Sequence, residues 1–369
     1  MFEALFREAN TWPGSRAPVA TGSNRPLVAI PDRQQLTKAD ATDYRRGDSF
    51  LAPSCVLYSR NIFSVKGMAM NPLSFLVGVM GTTLSLVSTS PALSESLSAV
   101  TVKQGRISVL VEGSGTDIIL IPGLASSYEV WADLASRLRQ THRLHLVQLA
   151  GFAGSPAASD PEGKVAAPTA EAIAEYIRSQ RIEAPVIIGH SLGGEVALML
   201  GARHPDQVGP LMIVDALPFY TLLISPSATS ETATPHAAAM RDAMLAATPE
   251  QAEAMQHASI ARLVKTEAFR PGLAAAGISS DRKTVADAMY ELMVTDLRPE
   301  LKRIKAPVEV VYAYDPLYGI DASNVDAMYR NAYVSTPNIS LRRIDGSFHF
   351  VMLDQSELFA AAVIEFLGQ

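Results

Sequence analysis

The chain has a single cysteine, no surplus of basic residues and no apolar run of membrane-spanning length. Because Cys55 is the only cysteine among 369 residues, no intrachain disulfide can form. Lysine and arginine number 31 against 37 aspartates and glutamates, so the formal net charge is −6 and no nucleic-acid partner is expected. The seven histidines are scattered and lack companions at metal-ligand spacing. We therefore expect neither a metal nor a bound cofactor.

The first hundred residues differ in pattern from the rest. Residues 1–64 show no sustained period of 2 or 3.6, which predicts an unstructured segment or an extension upstream of the true translation start. Residues 73–87 are uncharged, follow Lys66 and precede a small-residue site, which is typical of a secretory signal peptide. The run is shorter than the roughly 20 residues of a membrane-spanning helix. We interpret residues 65–92 as a signal peptide and expect export to the periplasm or medium, with a cytoplasmic or membrane-anchored protein as the alternative and no membrane span after processing.

Short apolar strands alternate with helical segments from residue 99 onward. A helix is predicted where Val130, Leu134 and Leu138 recur at i, i+4 and i+8, and Thr169 is a candidate N-cap for the next helix. This alternation predicts an α/β fold, a mostly parallel sheet with helices on both faces. The predicted strands are residues 99–102, 107–111, 117–121, 144–149, 185–188, 211–214, 308–312 and 339–344.

The alternation stops between residues 218 and 300. A polar stretch at residues 225–235 leads into helical patterns, one of them opened by Thr248, Pro249 and Gln251 in the arrangement of a capping box. We predict that residues 218–300 form a helical cap inserted into a core made of residues 93–217 and 301–369. Five methionines of this insertion could line an apolar pocket, although such spacing is more often helix core.

A nucleophile motif lies where a predicted strand turns into a helix. The residues Gly189-His190-Ser191-Leu192-Gly193 form a G-x-S-x-G sequence. In this context the tight turn strains the serine backbone, requires small flanking residues and exposes the serine oxygen above the sheet. Ser191 is therefore the candidate nucleophile.

This motif and its context resemble the α/β-hydrolase family over residues 99–369. The segment Leu120-Ile-Pro-Gly-Leu-Ala-Ser-Ser127 is similar to the family's oxyanion loop, although Pro122-Gly123 stands where His-Gly is usual. The resemblance implies that the backbone N–H groups of Leu124 and Leu192 bind the oxyanion. A serine at the elbow argues against members that use an aspartate nucleophile, the haloalkane dehalogenases and epoxide hydrolases.

A serine nucleophile needs a base and an acid, which follow it in the family's chain order. His349 is the histidine at a suitable distance, shortly before the last predicted helix. Asp315, just past the strand at 308–312, matches the usual position of the acid and is the preferred candidate. Asp215, at the end of the strand at 211–214, is the alternative.

These residues predict a serine hydrolase that cleaves a small or medium-sized carboxylic ester through an acyl-enzyme on Ser191. A lactonase, a peptidase of the proline-iminopeptidase kind or a C–C bond hydrolase would use the same three residues. The alternative from another class is a binding protein on a catalytically dead hydrolase scaffold.

Overall fold

The computed structural model describes residues 100–158 and 163–368. The segment at residues 1–64 and the predicted signal peptide at residues 65–92 lie outside the described residues, so export stays a prediction. Within the described part of the chain, no helix is both long and apolar enough to cross a membrane.

The described strands form one eight-stranded sheet, in the order β1-β2-β4-β3-β5-β6-β7-β8. The pairs β1·β2 and β2·β4 are antiparallel and the other neighbours are parallel, which confirms the predicted α/β fold. The strands are β1 (Val100–Gln104), β2 (Ile107–Gly113), β3 (Thr116–Ile121), β4 (His142–Leu149), β5 (Val186–His190), β6 (Leu211–Val214), β7 (Val308–Tyr314) and β8 (Ile339–Asp345).

Helices follow or connect most of these strands. They are α1 (Ala132–Leu138), α2 (Ala166–Ser179), α3 (Leu192–Arg203), α4 (Ser230–Ala246), α5 (Pro249–Leu263), α6 (Arg270–Ile278), α7 (Arg282–Val294), α8 (Ala322–Ala332), α9 (Val351–Asp354) and α10 (Ser356–Leu367).

The core has two apolar clusters, one on each face of the sheet. Alternate residues of β3 divide between them, because successive side chains of a strand point to opposite faces. Ile119 and Ile121 join the cluster that includes side chains of α2, α3 and α8. Ile118 and Leu120 join the cluster that includes side chains of α1 and α10. The continuous apolar run of β3 is therefore buried on both sides, as expected for a parallel sheet.

The chain between β6 and β7 is largely helical, with α4 to α7 within it. Ala233 of α4 and Leu292 of α7 join the first core cluster. Ile260 of α5 and Leu273 of α6 join the second. The capping box at Thr248 is present, whereas much of the polar stretch at residues 225–235 belongs to α4, which begins at Ser230.

The N-terminus of α2 differs from the prediction. The helix begins at Ala166, and the hydroxyl of Thr169 donates to the carbonyl of Val165 instead of capping the helix. The buried carboxylate of Glu291, from α7, accepts the N–H groups of Val165, Ala166 and Ala167. Glu291, which is distant in sequence, therefore caps the N-terminus of α2 in place of Thr169.

Helix α8 was not predicted, although its sequence carries a signal for it. Val325, Tyr329 and Ala332 recur at i, i+4 and i+7 and are buried. The helix packs one of these side chains against the candidate site described below.

Candidate active site

Ser191 occupies the turn between β5 and α3 with a strained backbone. Its φ is 54° and its ψ is −120°, a conformation that a residue with a side chain rarely adopts. The turn requires glycine nearby: a Cβ on Gly189 would overlap the carbonyl of Gly193, and a Cβ on Gly193 would overlap the carbonyl of Ile121. The chain thus has the strand–turn–helix geometry that the G-x-S-x-G motif predicts.

The loop after β3 lies directly against this turn. A Cβ added to Gly123 would lie 3.0 Å from the Cβ of Ser191, so the two backbones approach closely. Leu124 follows in this loop, and Leu192 is the first residue of α3. The first N–H groups of a helix have no partner within the helix, which makes the Leu192 amide available to an anion. The structure therefore brings both predicted oxyanion-binding segments to Ser191.

His349 lies beside the same turn and contacts Asp215. Its Nδ1 donates a hydrogen bond to Oδ2 of Asp215 at 2.7 Å. Side-chain exposure is 22% for His349 and 13% for Asp215, so the pair is partly shielded from water while still reachable. With Nδ1 as the donor, the neutral ring carries its lone pair on Nε2, the form that a general base needs.

The prediction that Asp315 holds His349 is wrong. Its carboxylate instead accepts hydrogen bonds from Nζ of Lys265, at 2.6 Å, and from the backbone N–H of Leu317, at 2.9 Å. Burial alone would raise the pKa of Asp315, but these two hydrogen bonds outweigh it and hold the pKa below its ordinary value. Asp315 is therefore committed to an ion pair with the insertion and to the cap of the following turn.

The register of the sheet explains why the two aspartates differ. Val214 of β6 pairs with Val311 of β7, and Oδ1 of Asp215 accepts the N–H of Ala313 at 2.9 Å. Strand β7 continues to Tyr314, two residues past the predicted end at 312. Asp315 consequently lies three residues beyond Tyr312, which is level with Asp215, a displacement of about 10 Å along the strand.

His190 supports the loop that carries His349. The two rings are 4.5 Å apart, and Nε2 of His190 donates to the backbone carbonyl of His349 at 3.1 Å. Burial lowers the pKa of His190 well below its ordinary value, and the neighbouring His349 adds to this effect. His190 is thus a neutral donor that positions the backbone of His349.

The insertion also contacts this loop. The backbone N–H groups of Lys265 and Thr266 donate to the carboxylate of Asp354, which also accepts the N–H of Phe348. The N–H of Phe350 donates to the carbonyl of Leu263. The end of α5 and the residues that follow it therefore hold the His349 loop by hydrogen bonds.

The arrangement suits proton transfer and acyl transfer. A hydroxyl on a strained turn, an imidazole oriented by a carboxylate and nearby N–H donors are the components of covalent catalysis at a carbonyl. Among residues 100–158 and 163–368, no three histidine, cysteine or acidic side chains cluster in a way that could hold a metal ion.

A family model of known proteins matches most of the described chain. The model of the alpha/beta hydrolase family matches residues 118–362, which include the turn at Ser191, the insertion and the His349 loop.

Two relatives share a name and differ in how much of them aligns. A pimeloyl-[acyl-carrier protein] methyl ester esterase of Yersinia enterocolitica is 25% identical over 264 residues, which are 69% of this chain and 93% of the relative. The protein of the same name from Aeromonas hydrophila is 34% identical over 116 residues, 31% of this chain and 44% of the relative. The chain thus aligns with less than half of this second relative.

Solved structures share the fold at low identity. The enol-lactonase of Burkholderia xenovorans superposes with a TM-score of 0.58 and 18% identity, over 71% of this chain and 96% of that one. A thermophilic esterase of Thermogutta terrifontis superposes with a TM-score of 0.58 and 19% identity, over 73% of this chain and 98% of that one. The sheet order, the strained turn and the family match lead to one conclusion: this chain belongs to the alpha/beta hydrolase family of enzymes.

Proposed function

We propose that the protein is a serine esterase that cleaves carboxylic esters through an acyl-enzyme. The observation that carries this proposal is the 2.7 Å hydrogen bond between His349 and Asp215, located beside the strained turn of Ser191. The names of the relatives, esterases of a methyl ester, support the ester class.

In the proposed mechanism, Nε2 of His349 takes the proton of the Ser191 hydroxyl as the oxygen attacks the ester carbonyl. The backbone N–H groups of Leu124 and Leu192 bind the oxyanion, and each such donor typically contributes about 3–4 kcal/mol. Asp215 fixes the imidazole tautomer and stabilises the imidazolium. His349 then protonates the leaving alcohol, and water releases the acid from the acyl-enzyme.

The nucleophile is tested by replacing Ser191 with alanine. We expect Ser191→Ala to lower kcat by on the order of 10⁶, because removing a triad serine has that effect in subtilisin. A fluorophosphonate probe should label the wild-type chain at Ser191 and leave the variant unlabelled. Near-normal ester turnover by Ser191→Ala would refute the assignment, and an unlabelled wild type would favour a dead scaffold.

The substrate class is tested with a panel of methyl esters of graded acyl length, run beside lactones and amides. We expect kcat/KM to be highest for an ester. A lactone turned over more than tenfold faster than every ester would move the assignment to lactonase.

A further inference from the structure

Tyr329 contacts the side of Asp215 that faces away from His349. The Tyr329 hydroxyl donates to Oδ1 of Asp215 at 2.9 Å, and the Ala313 amide donates to the same oxygen at 2.9 Å. The other oxygen, Oδ2, accepts the hydrogen bond from His349. The carboxylate thus has two donors on one oxygen and the imidazole on the other, which defines its rotation.

The tyrosine is held as a permanent donor. Burial raises its pKa well above the ordinary value, and the negative charge of Asp215 raises it further, so the phenol keeps its proton over the working range. The ring stacks on Tyr312 of β7 at a centroid distance of 4.2 Å and an angle of 18°. Just after the end of α8, the Tyr333 hydroxyl donates to the carbonyl of Ala216, the residue after Asp215.

The backbone of Asp215 has an unfavourable conformation that needs support from its neighbours. Asp215 has a φ of 46°, in the left-handed region, so its conformation depends on the surrounding contacts. Tyr329 of α8 supplies one of those contacts, to the carboxylate, and Tyr333 at the C-terminal end of the helix supplies another, to the carbonyl of Ala216.

We propose that Tyr329 is a positioning residue that acts on the reaction through Asp215. Its hydroxyl orients the carboxylate so that Oδ2 faces Nδ1 of His349. The hydrogen bond to Oδ1 also draws negative charge away from Oδ2. This inference rests on the proposed triad of Ser191, His349 and Asp215.

Other titratable groups face Asp215 and His349, and burial holds each of them neutral near neutral pH. Tyr318, Tyr329 and Tyr333 interact electrostatically with Asp215. His190 faces His349, and burial keeps its imidazole neutral.

The test replaces Tyr329 by phenylalanine, which keeps the ring in its stack and removes only the hydroxyl. We expect kcat for p-nitrophenyl butyrate to fall about tenfold with KM within twofold, because a hydrogen bond to a charged group is lost. The acidic limb of the kcat/KM profile should move to higher pH by about half a unit, because a carboxylate with fewer donors holds the imidazolium more strongly.

Tyr312→Phe is the matched control. It removes a hydroxyl from the same stack, but that hydroxyl donates to Asp326 rather than to Asp215. We expect its kcat to stay within about twofold of the wild type, with an unmoved acidic limb. Melting temperatures of both variants verify that the fold is kept.

A double-mutant cycle separates action through Asp215 from a structural effect. In an Asp215→Asn background, Tyr329→Phe should change the residual rate by less than twofold. A tenfold loss persisting in that background, an acidic limb that stays in place, or a kcat equal to the wild type would overturn the inference. If Asp215→Asn itself left activity unchanged, the proposed triad would fail instead.

Discussion

Asp215 and Asp315 each follow a strand of the sheet, yet their carboxylates have different partners. Asp215 faces His349 and Tyr329, whereas Asp315 faces Lys265. A carboxylate already paired with an ammonium group, and with a pKa held below its ordinary value, stabilises the fold rather than an imidazolium.

This difference predicts opposite outcomes for two conservative substitutions. Asp215→Asn should lower kcat by about 10⁴, because an amide leaves the imidazole in the wrong tautomer. Asp315→Asn should lower kcat less than about tenfold and should lower the melting temperature, because Lys265 loses its charged partner. Ester turnover and thermal unfolding of both variants would be measured. If Asp315→Asn lost more kcat than Asp215→Asn, Asp315 rather than Asp215 would be the acid that orients His349.

At the scale of elements, two buried carboxyl groups, those of Glu195 on α3 and Glu291 on α7, are close enough to interact electrostatically. Glu291 caps the N-terminus of α2, as described above. Glu195, in the first turn of α3, is 2% exposed, and neither of its oxygens has a hydrogen-bond partner within the described residues. Burial raises the pKa of Glu195 well above its ordinary value, and the charge of Glu291 raises it further.

A raised pKa makes this site a pH-dependent cost to stability. Below the pKa of an unfolded glutamate, Glu195 is protonated in both states and the cost is absent. As the pH rises toward the folded-state pKa, the unfolded chain releases its proton first. Over this range the free energy of unfolding falls by about 1.4 kcal/mol for each pH unit. The melting temperature of Glu195→Gln should therefore rise relative to that of the wild type as the pH increases above the ordinary pKa of glutamate. A difference that is constant or shrinks with pH would contradict this reasoning.

Glu291→Gln is the natural comparison for that series. It weakens the acceptor for the amides of α2, so we expect a lower melting temperature than the wild type at pH 7. The two substitutions therefore have opposite signs at neutral pH, although both convert a buried acid to its amide.

The elements were largely predictable from the sequence, and their mutual register was not. The strand at residues 211–214 matches its predicted bounds, because the apolar pattern there is regular. The choice between Asp215 and Asp315 depended on how far β7 extends beside β6, which no local pattern encodes. Helix α8, which carries Tyr329, is not among the predicted helices, although its buried residues Val325 and Tyr329 lie one turn apart.

At the scale of the whole molecule, the three proposed catalytic residues come from unequally supported parts of the sheet. Ser191 and Asp215 follow β5 and β6, each of which has a strand on both sides. His349 follows β8, which is the last strand of the order and pairs with β7 alone among the described strands.

This placement has a consequence for how the protein loses activity under stress. Edge elements fray at a lower free energy than central ones, and fraying of β8 would carry the imidazole away while the nucleophile stayed in place. In a urea titration, we expect ester turnover to decline at lower concentrations than the far-ultraviolet circular dichroism, with activity returning on dilution. If the activity and circular dichroism curves superimpose, β8 unfolds together with the central strands as one cooperative unit.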